Sequence, residues 1–356
     1  MAFDEIVFLT GFPGFIAGRL VQRLATEGAR FLLLVQPAFM ERALSEINRI
    51  TNATDRSGGD FRVLEGDITQ KNLGLSPVEL EAARAETTTI FHLAAIYDLA
   101  ASHDPAMRVN VGGTRNVNEF AQTLQHLRRY HYVSTCYVAG KRKGVILESD
   151  LQHEAGFRNH YEESKYLAEL EVDALKSELP VTIHRPAVVV GDSQTGETAK
   201  YDGIYYLIHY LLKAPRLLPI FNIGNDKVSL NLVPIDWVVQ GMVALAKDER
   251  AVGKTVQLAD PEPLSTRGLF DAIAECINGR HSRFTIPAPL VQLSLSLPLS
   301  PKITGLPHSA VPYFFLRQTY DTTRAGELLE PHGIYCPRFD SYVGAIVDFA
   351  SRHPQL

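Results

Sequence analysis

Short apolar runs alternate with longer amphipathic stretches through the first half of the chain. The runs lie at residues 5–9, 31–35, 61–65, 89–93, 131–133 and 181–184, and helical periodicity fills residues 15–27, 39–50, 77–85, 109–127 and 161–177. Strands without polar alternation are buried on both faces of a sheet, and parallel strands need helical crossovers. The pattern therefore predicts an α/β fold built on a doubly wound parallel sheet, a Rossmann domain.

This alternation stops after residue 190 and returns only at residues 230–247 and 254–258. We therefore expect a Rossmann domain of residues 1–190 plus about 230–260. A smaller C-terminal substrate lobe, of about 191–229 plus 261–356, would cover the carboxyl ends of the strands, where open α/β sheets bind ligands.

The expected lobe is rich in aliphatic and aromatic residues, especially at residues 204–212, 286–297 and 311–316. Three such segments above the site predict a long slot for an apolar substrate. The alternative is that these side chains, including those of Tyr205, Tyr206, Tyr210, Phe314 and Phe315, form the core of the lobe.

Composition narrows the function classes. The 356 residues are 46% hydrophobic and 21% charged, with a net charge of −5 and scattered basic residues, so we expect no nucleic-acid partner. No apolar run reaches the ~20 residues that span a bilayer, and no signal peptide precedes the first strand. The three cysteines and twelve histidines show no metal-ligand spacing. We expect a cytoplasmic protein without a bound metal.

The first predicted strand ends in a glycine-containing turn that leads directly into a helix. The segment reads Thr10-Gly11-Phe12-Pro13-Gly14-Phe15-Ile16. A helix N-terminus offers free N–H groups and positive partial charge, and glycines let the backbone approach a pyrophosphate. An ordinary tight turn is the alternative, but the order of strand, turn and helix indicates a dinucleotide site. Ala17 stands where the third glycine of such loops is expected.

The end of the second predicted strand indicates which dinucleotide is bound. It carries Gln36 instead of the acid that holds the ribose hydroxyls of NAD. Gln36 removes the repulsion of a 2′-phosphate, and Arg42, about one helical turn further, would supply a positive charge unless it is simply a solvated helix residue. NADP is therefore favoured over NAD.

Two further strand ends offer cofactor contacts. Asp67 and Ile68, after the third predicted strand, suit an adenine edge. Leu93, Ala94 and Ala95, after the fourth, are small enough for a dinucleotide to cross.

Tyr161 and Lys165 stand four residues apart at the start of a predicted helix and therefore share one face. A neighbouring ammonium favours the phenolate and lowers the pKa of a tyrosine, which is about 10 when free. The pair follows Ser134 and Thr135 at the end of the fifth predicted strand. Thr135 could hydrogen-bond a substrate carbonyl, with Ser134 as the alternative. Lys165 can also hold the ribose, so that Tyr161 and Lys165 are expected to bind the cofactor as well as to react. A plain surface pair is the alternative for Tyr161 and Lys165.

Several motifs occur in a characteristic order along the chain. They are the glycine turn, Asn110-Val111-Gly112-Gly113-Thr114, Tyr132-Val133-Ser134-Thr135, Glu148-Ser149-Asp150-Leu151, Asn159-His160-Tyr161, His184-Arg185-Pro186, Gly191-Asp192-Ser193-Gln194-Thr195-Gly196 and Leu232-Val233-Pro234-Ile235-Asp236. In these residues nearly the whole chain resembles the extended short-chain dehydrogenase/reductases. Within them it is most similar to the thioester reductase and fatty acyl-CoA reductase branch.

The resemblance implies a triad of Thr135, Tyr161 and Lys165, with Asn110 in a supporting role. It further implies that the stretch from Pro186 to Val188 faces the nicotinamide. Gln36 departs from the branch, which often has an arginine there that reads the 2′-phosphate.

The same resemblance implies a homodimer formed by two helices of each subunit, here residues 109–127 and 161–177. Multidomain members carry adenylation and carrier domains upstream, for which this chain has no length. Its substrate is therefore expected to arrive already activated, or already as an aldehyde or ketone.

These expectations together favour an NAD(P)H-dependent reductase of an apolar carbonyl compound. The substrate would be an acyl thioester on coenzyme A or a carrier protein, an aldehyde or a ketone. A nucleotide-sugar epimerase or dehydratase on the same scaffold is the alternative enzyme. A non-catalytic dinucleotide-binding protein is a third possibility, although such proteins usually lose the tyrosine or lysine.

Overall fold

The computed structural model describes residues 5–213, 221–222, 224–279, 282, 284–286, 308–309 and 311–355. Residues 287–297 of the expected apolar slot lie outside these ranges. Within them, no helix combines the length and apolar character needed to cross a bilayer.

Seven strands of the described chain form one parallel sheet. All strands of the described chain, including those outside this sheet, are numbered in chain order: β1 (Ile6–Thr10), β2 (Arg30–Val35), β3 (Phe61–Glu65), β4 (Thr89–His92), β5 (Arg129–Val133), β6 (Gly144–Ile146), β7 (Val181–Pro186), β8 (Val188–Val190), β9 (Phe221–Asn222), β10 (Leu232–Pro234), β11 (Thr255–Leu258), β12 (Phe284–Thr285) and β13 (Gln318–Tyr320). The sheet order is β11-β7-β5-β4-β1-β2-β3, which confirms the doubly wound α/β fold.

Helices connect these strands. They are α1 (Phe15–Thr26), α2 (Met40–Thr54), α3 (Pro77–Glu86), α4 (His103–Ala106), α5 (Thr114–Gln122), α6 (His160–Ala174), α7 (Ile204–Lys213), α8 (Ile235–Lys247), α9 (Thr266–Asn278), α10 (Thr323–Leu329) and α11 (Phe339–Arg352), with a π-helical segment, Met107–Gly113, between α4 and α5. Side-chain caps fix several starts: the Ser76 hydroxyl accepts from the Glu79 N–H at α3, and the Asn159 amide oxygen accepts from the Glu162 N–H at α6.

The helix expected at residues 109–127 is shorter and less regular than its periodicity predicts. Its first part is π-helical, and a Cβ on Gly113 would lie only 2.5 Å from Ile68 Cδ1, so the backbone packs closely there. Its last turn closes early because the Thr123 hydroxyl donates to the Phe120 carbonyl at 2.7 Å.

Apolar layers cover both faces of the sheet. On one face β-strand residues such as Leu9 and Leu33 pack with α1, α2, α8 and α10. On the other, Phe8 and Ile90 pack with α3, α5 and α6. Burial on both faces explains why the strands carry uninterrupted apolar runs.

A separate apolar cluster joins α7, α9 and α11. Ile204, Tyr205, Ile208 and Leu211 of α7 point into this cluster and are almost fully buried. Most of the first segment expected to line the apolar slot therefore forms core, whereas Tyr210 is exposed.

The two helices expected to form a dimer use most of their apolar residues within the chain. Val117, Phe120 and Leu124 are buried against the sheet in the same layer as α3. Leu167 of α6 is 36% exposed and remains available. The homodimer therefore stays a prediction.

Candidate active site

The carboxyl ends of β1, β4 and β5 meet at one edge of the sheet. Thr10 is in register with His92, and His92 with Tyr132. The segments that follow these strands therefore lie side by side, which brings the glycine turn after β1 next to the loop after β4 and to Thr135 after β5.

The glycine turn has the geometry of a phosphate cradle. Gly11 has a φ of +91°, and a Cβ there would lie 2.8 Å from the backbone nitrogen of Ala94. A Cβ on Gly14, the N-cap residue of α1, would lie 2.7 Å from the Gly11 carbonyl oxygen. No side chain caps α1 and its first turn holds no acid, so its N–H groups suit a pyrophosphate.

The other residues of the turn are placed around this cradle. Pro13 is buried, while Phe15 and Ile16 are half-buried in the first turn of α1. The Thr10 side chain instead serves the fold, because its Oγ1 lies 2.7 Å from His92 Nδ1 and accepts from the Ala94 N–H at 3.1 Å.

The end of β2 leaves room for positive charge. Gln36 is half-buried and precedes a short 3-10 turn, Pro37–Phe39. Arg42 is exposed on α2 and has no ion-pair partner in the described ranges. Its guanidinium is therefore available to bind an anion near the end of β2.

The adenine-side and crossing residues occupy the expected strand ends. Asp67 is half-buried and its Oδ1 accepts from the Thr69 N–H at 2.8 Å. Ile68 is buried beneath Gly113. Four of the remaining residues expected to contact the cofactor are half-buried: Leu93, Ala94, Ala95 and Val188. The fifth, Pro186, is the last residue of β7 and is buried.

Thr135 and Tyr161 come together at the end of β5. Thr135 is 6% exposed and caps a 3-10 turn, Cys136–Ala139, by accepting from the Tyr137 N–H at 3.2 Å. Its side chain is also close enough to the Tyr161 hydroxyl to influence that phenol. Burial raises the pKa of Tyr161 to about 12, and the neighbouring Thr135 side chain partly opposes the rise.

The ammonium of Lys165 is hydrogen-bonded to residues at the end of β5 and not to Tyr161. Its Nζ donates to the Tyr132 hydroxyl and to the Val133 carbonyl, both at 2.8 Å. Burial lowers the pKa of Lys165 to about 7, while the charge of Glu169 opposes the fall. The expectation that Lys165 lowers the pKa of Tyr161 is wrong in this structure, because the ammonium is engaged below the end of β5.

Ser134, the alternative residue for hydrogen-bonding the substrate carbonyl, already has another hydrogen-bond partner. Its hydroxyl donates to the buried carboxylate of Glu169. Arg185 holds the same carboxylate through Nε and Nη2, at 2.8 and 2.6 Å, and both side chains are almost fully buried. Thr135 is therefore the hydroxyl of this pair that faces Tyr161.

Asn110 supports the site through the backbone. Its Oδ1 accepts from the Ile96 N–H at 2.7 Å, and its Nδ2 donates to the Ile96 carbonyl at 3.0 Å and to Ser164 Oγ at 2.9 Å. One side chain thus ties the loop after β4 to α6, the helix that carries Tyr161 and Lys165.

Sequence reasoning missed how the C-terminal part reaches the start of α6. The Tyr313 hydroxyl donates to Glu162 Oε1 at 2.6 Å and accepts from Asn159 Nδ2 at 2.7 Å. The rings of Tyr313 and Tyr137 lie 4.5 Å apart. A lone tyrosine in a proline-rich stretch gives no pattern that could have signalled this contact.

A narrow cavity of about 10 Å³ lies beside these tyrosines. Its apolar lining comes from both parts of the chain: Tyr137, Val188, Leu230, Tyr313, Leu316 and Tyr320.

The sheet, the cradle and the residues at the end of β5 define the class of protein. It is a protein of an NAD-binding family with a Rossmann fold. Residues 9–242 match the model of an NAD-binding family described as "Male sterility protein", and the chain belongs to that family. The resemblance read from the motifs is thereby confirmed.

Curated relatives share about a quarter of their residues with this chain. "Glycine betaine reductase ATRR" of Emericella nidulans is 27% identical over 284 residues, which is 75% of this chain and 22% of that protein. "Fatty acyl-CoA reductase wat" of Drosophila melanogaster is 24% identical and covers 67% of this chain and 54% of that protein. The chain thus spans less than two thirds of the length of either relative.

Solved structures share the fold. The terminal R domain from the myxalamid PKS-NRPS biosynthetic pathway aligns with a TM-score of 0.83 at 23% identity, covering 100% of this chain and 92% of that one. UDP-glucuronic acid 4-epimerase from Bacillus cereus, in complex with NAD, aligns with a TM-score of 0.67 at 20% identity, covering 98% and 97%.

The cradle predicts a specific effect of adding one methyl group. Gly11→Ala should weaken NADPH binding by about tenfold or more, because the Cβ must displace the Ala94 backbone (about 1.4 kcal/mol per tenfold). Fluorescence titration of NADPH measures the affinity.

Gly253→Ala is the matched control, since Gly253 has a φ of +73° but no atom within 4 Å of the place where the new methyl carbon would lie. It carries the same backbone strain and should bind NADPH normally. Equal affinity in the two variants would contradict the assignment of the cradle.

Proposed function

We propose that this chain is a reductase that transfers hydride from NADPH to the carbonyl carbon of an apolar acyl thioester, aldehyde or ketone. The observation that carries the proposal is the placement of Thr135 beside Tyr161 at the sheet edge where the glycine turn lies. Reduction of a carbonyl needs a hydroxyl that orients the oxygen and an acid that protonates it.

In this proposal the chain's own residues handle the oxygen. The Thr135 hydroxyl orients the carbonyl, and Tyr161 donates the proton as the oxygen becomes negative. An aldehyde or ketone is thereby reduced to the alcohol, whereas a thioester gives a hemithioacetal whose C–S bond breaks to release the aldehyde and the thiol. A pKa of about 12 keeps Tyr161 protonated at neutral pH, which is the form that an acid requires. The cradle of Gly11 and Gly14 would hold the pyrophosphate, and the bound nicotinamide supplies the hydride.

The substrate class is supported by the lining of the site and by several relatives. The small cavity beside Tyr137 is walled mainly by aliphatic and aromatic side chains, with Ser229, Asn231 and Gln318 as its polar members, and this balance favours an acyl or other apolar group over a sugar. One relative is named a fatty acyl-CoA reductase and others are nonribosomal peptide synthetases, names that point to thioesters. Another is named for glycine betaine, so the apolar class rests on the cavity wall and not on the family as a whole. The thioester, on coenzyme A or a carrier protein, is the form we favour.

We also propose the division of labour between the two parts of the chain. Residues 1–190 and about 230–260 bind the dinucleotide, and residues 191–229 and 261–356 cover the substrate. The contacts of Tyr313 with Asn159 and Glu162 support this arrangement, because they seat the second part over the start of α6.

A sugar-nucleotide epimerase remains the rival, since such enzymes share the fold. It is disfavoured by the apolar cavity wall. A non-catalytic dinucleotide-binding protein is disfavoured by the retained pair of Thr135 and Tyr161 and by the buried Lys165.

Tyr161→Phe should reduce kcat by about 10²–10⁴-fold with little change in NADPH affinity, because only the proton donor is removed. Tyr166→Phe, on the same helix, removes a phenol that accepts a long hydrogen bond from the His153 N–H at 3.4 Å, and it should keep normal turnover. Rates and NADPH titrations on both proteins make the comparison. Most of the activity surviving in Tyr161→Phe would rule out the assigned acid.

NADPH should be preferred over NADH, because Gln36 does not repel a 2′-phosphate and Arg42 has no competing ion pair in the described part of the chain. Gln36→Asp should erase or reverse the preference, and Arg42→Ala should weaken NADPH binding alone. The measurement is kcat/KM for both dinucleotides. A wild-type preference for NADH would refute this electrostatic argument.

A homologous series of acyl thioesters, aldehydes and ketones tests the substrate class. Each buried methylene contributes about 0.8 kcal/mol, so kcat/KM should rise several-fold per carbon for as long as each added carbon is buried by the protein. A rise confined to thioesters would identify thioester reduction. No dependence on chain length, together with turnover of a nucleotide sugar, would favour the epimerase instead.

A further inference from the structure

Lys165 contacts a buried tyrosine, Tyr132, that has no role in the proposed reaction. Tyr132 is 1% exposed, and its hydroxyl lies 2.8 Å from Lys165 Nζ. The same nitrogen lies 4.3 Å from the centre of the Tyr132 ring. The phenol therefore contacts the ammonium with both its oxygen and its π face.

The tyrosine is itself held by a line of buried side chains. Its hydroxyl lies near Thr114, which influences the pKa of the phenol, and Thr114 Oγ1 lies 3.0 Å from His92 Nε2. His92 Nδ1 in turn lies 2.7 Å from Thr10 Oγ1, directly before the glycine turn. The five residues are at most 3% exposed, so the line connects the catalytic helix to the phosphate loop without passing through solvent.

One orientation of this line is consistent with a charged Lys165. In it the ammonium donates to Tyr132, the phenol O–H is directed at Thr114, the threonine hydroxyl donates to His92 Nε2, and His92 Nδ1–H donates to Thr10. His92 is then neutral, and burial together with the charge of Lys165 lowers the pKa of His92 to about 3. Tyr132, Thr114 and His92 each accept from one neighbour and donate to the next, and one N–H of Lys165 is left over.

We propose that Tyr132 is a positioning residue that holds Lys165 in its charged form, and that Thr114 and His92 fix Tyr132 relative to the phosphate loop. The proposal rests on the proposed function and on the expectation that the charged Lys165 holds the ribose of the dinucleotide. No step of it needs Tyr132 to touch substrate or dinucleotide.

The other titratable groups around Lys165 are accounted for. On its own helix lie Tyr161 and Glu169, and Glu169 is paired with Arg185 of β7. From β4, the neutral His92 faces it. Tyr132 is thus the residue of β5 whose side chain accepts a hydrogen bond from the ammonium in the described structure.

The test compares Tyr132→Phe with Tyr130→Phe. Tyr130 lies two residues earlier on the same strand and face, is fully buried, and donates to Asn118 Oδ1 at 2.7 Å. Each variant removes one buried phenol hydroxyl, and the unfolding free energy in urea, measured for both, separates a general loss of stability from an effect on Lys165. Only Tyr132→Phe removes an acceptor from Lys165.

The distinguishing readout is the pH dependence of NADPH binding in the absence of substrate. Removing the acceptor destabilises the ammonium, so Lys165 loses its proton at a lower pH than in the wild type, where its pKa is about 7. NADPH affinity should therefore begin to fall at lower pH in Tyr132→Phe and should be weaker by about tenfold at pH 7 (about 1.4 kcal/mol). Tyr130→Phe should follow the wild-type curve.

Thr114→Val is the second variant, used if Tyr132→Phe does not fold. It leaves the phenol but removes its anchor, and it should shift the curve in the same direction by a smaller amount. A curve that coincides with that of Tyr130→Phe in both variants would overturn the proposal. Because NADPH binding is read without substrate, failure of the proposed reductase activity alone would leave this comparison decisive.

Discussion

The parallel pairing of β1, β4 and β5 in a single register is the constraint on which the site depends. Thr10, His92 and Tyr132 are neighbours across these strands, and each strand ends within a residue or two of them. The strands are buried on both faces, and a slip of one residue would turn every side chain to the opposite layer. The register therefore determines that the glycine turn and Thr135 lie at the same edge.

Burying polar groups beneath that edge is costly unless each finds a partner. Glu169 receives Arg185 and Ser134, and Lys165 donates to a phenol and a carbonyl. Removing one partner of a buried ion pair costs about 3–5 kcal/mol, because the other charge stays buried. The polar groups of the layer under the site are thus paired, and Thr135 and Tyr161 lie beside each other above it.

The sequence was informative where the chemistry follows a local pattern. Uninterrupted apolar runs located the seven strands of the sheet to within about two residues at each end, and the glycine turn was recognisable from its place between a strand and a helix. Tyr161 and Lys165 were found from their spacing on one helix face.

Side-chain partners brought together from distant segments could not be read in this way. Spacing on a helix says that Lys165 can face Tyr161, but not that Tyr132, 33 residues earlier, takes the ammonium instead. The local sequence does not show whether Ser134 or Thr135 faces Tyr161. The structure distinguishes them, because the Ser134 hydroxyl donates to Glu169, which is paired with Arg185. The expected apolar slot failed in part for the same reason, because α7 finds its neighbours in α9 and α11.

The central claim is that this chain moves hydride from a nicotinamide to a carbonyl carbon. The most direct measurement uses NADPH carrying deuterium in place of the transferable hydrogen, with an acyl thioester as substrate and mass spectrometry of the product. The account predicts one deuterium on the former carbonyl carbon for each NADPH oxidised. Turnover of substrate without deuterium in the product would contradict it.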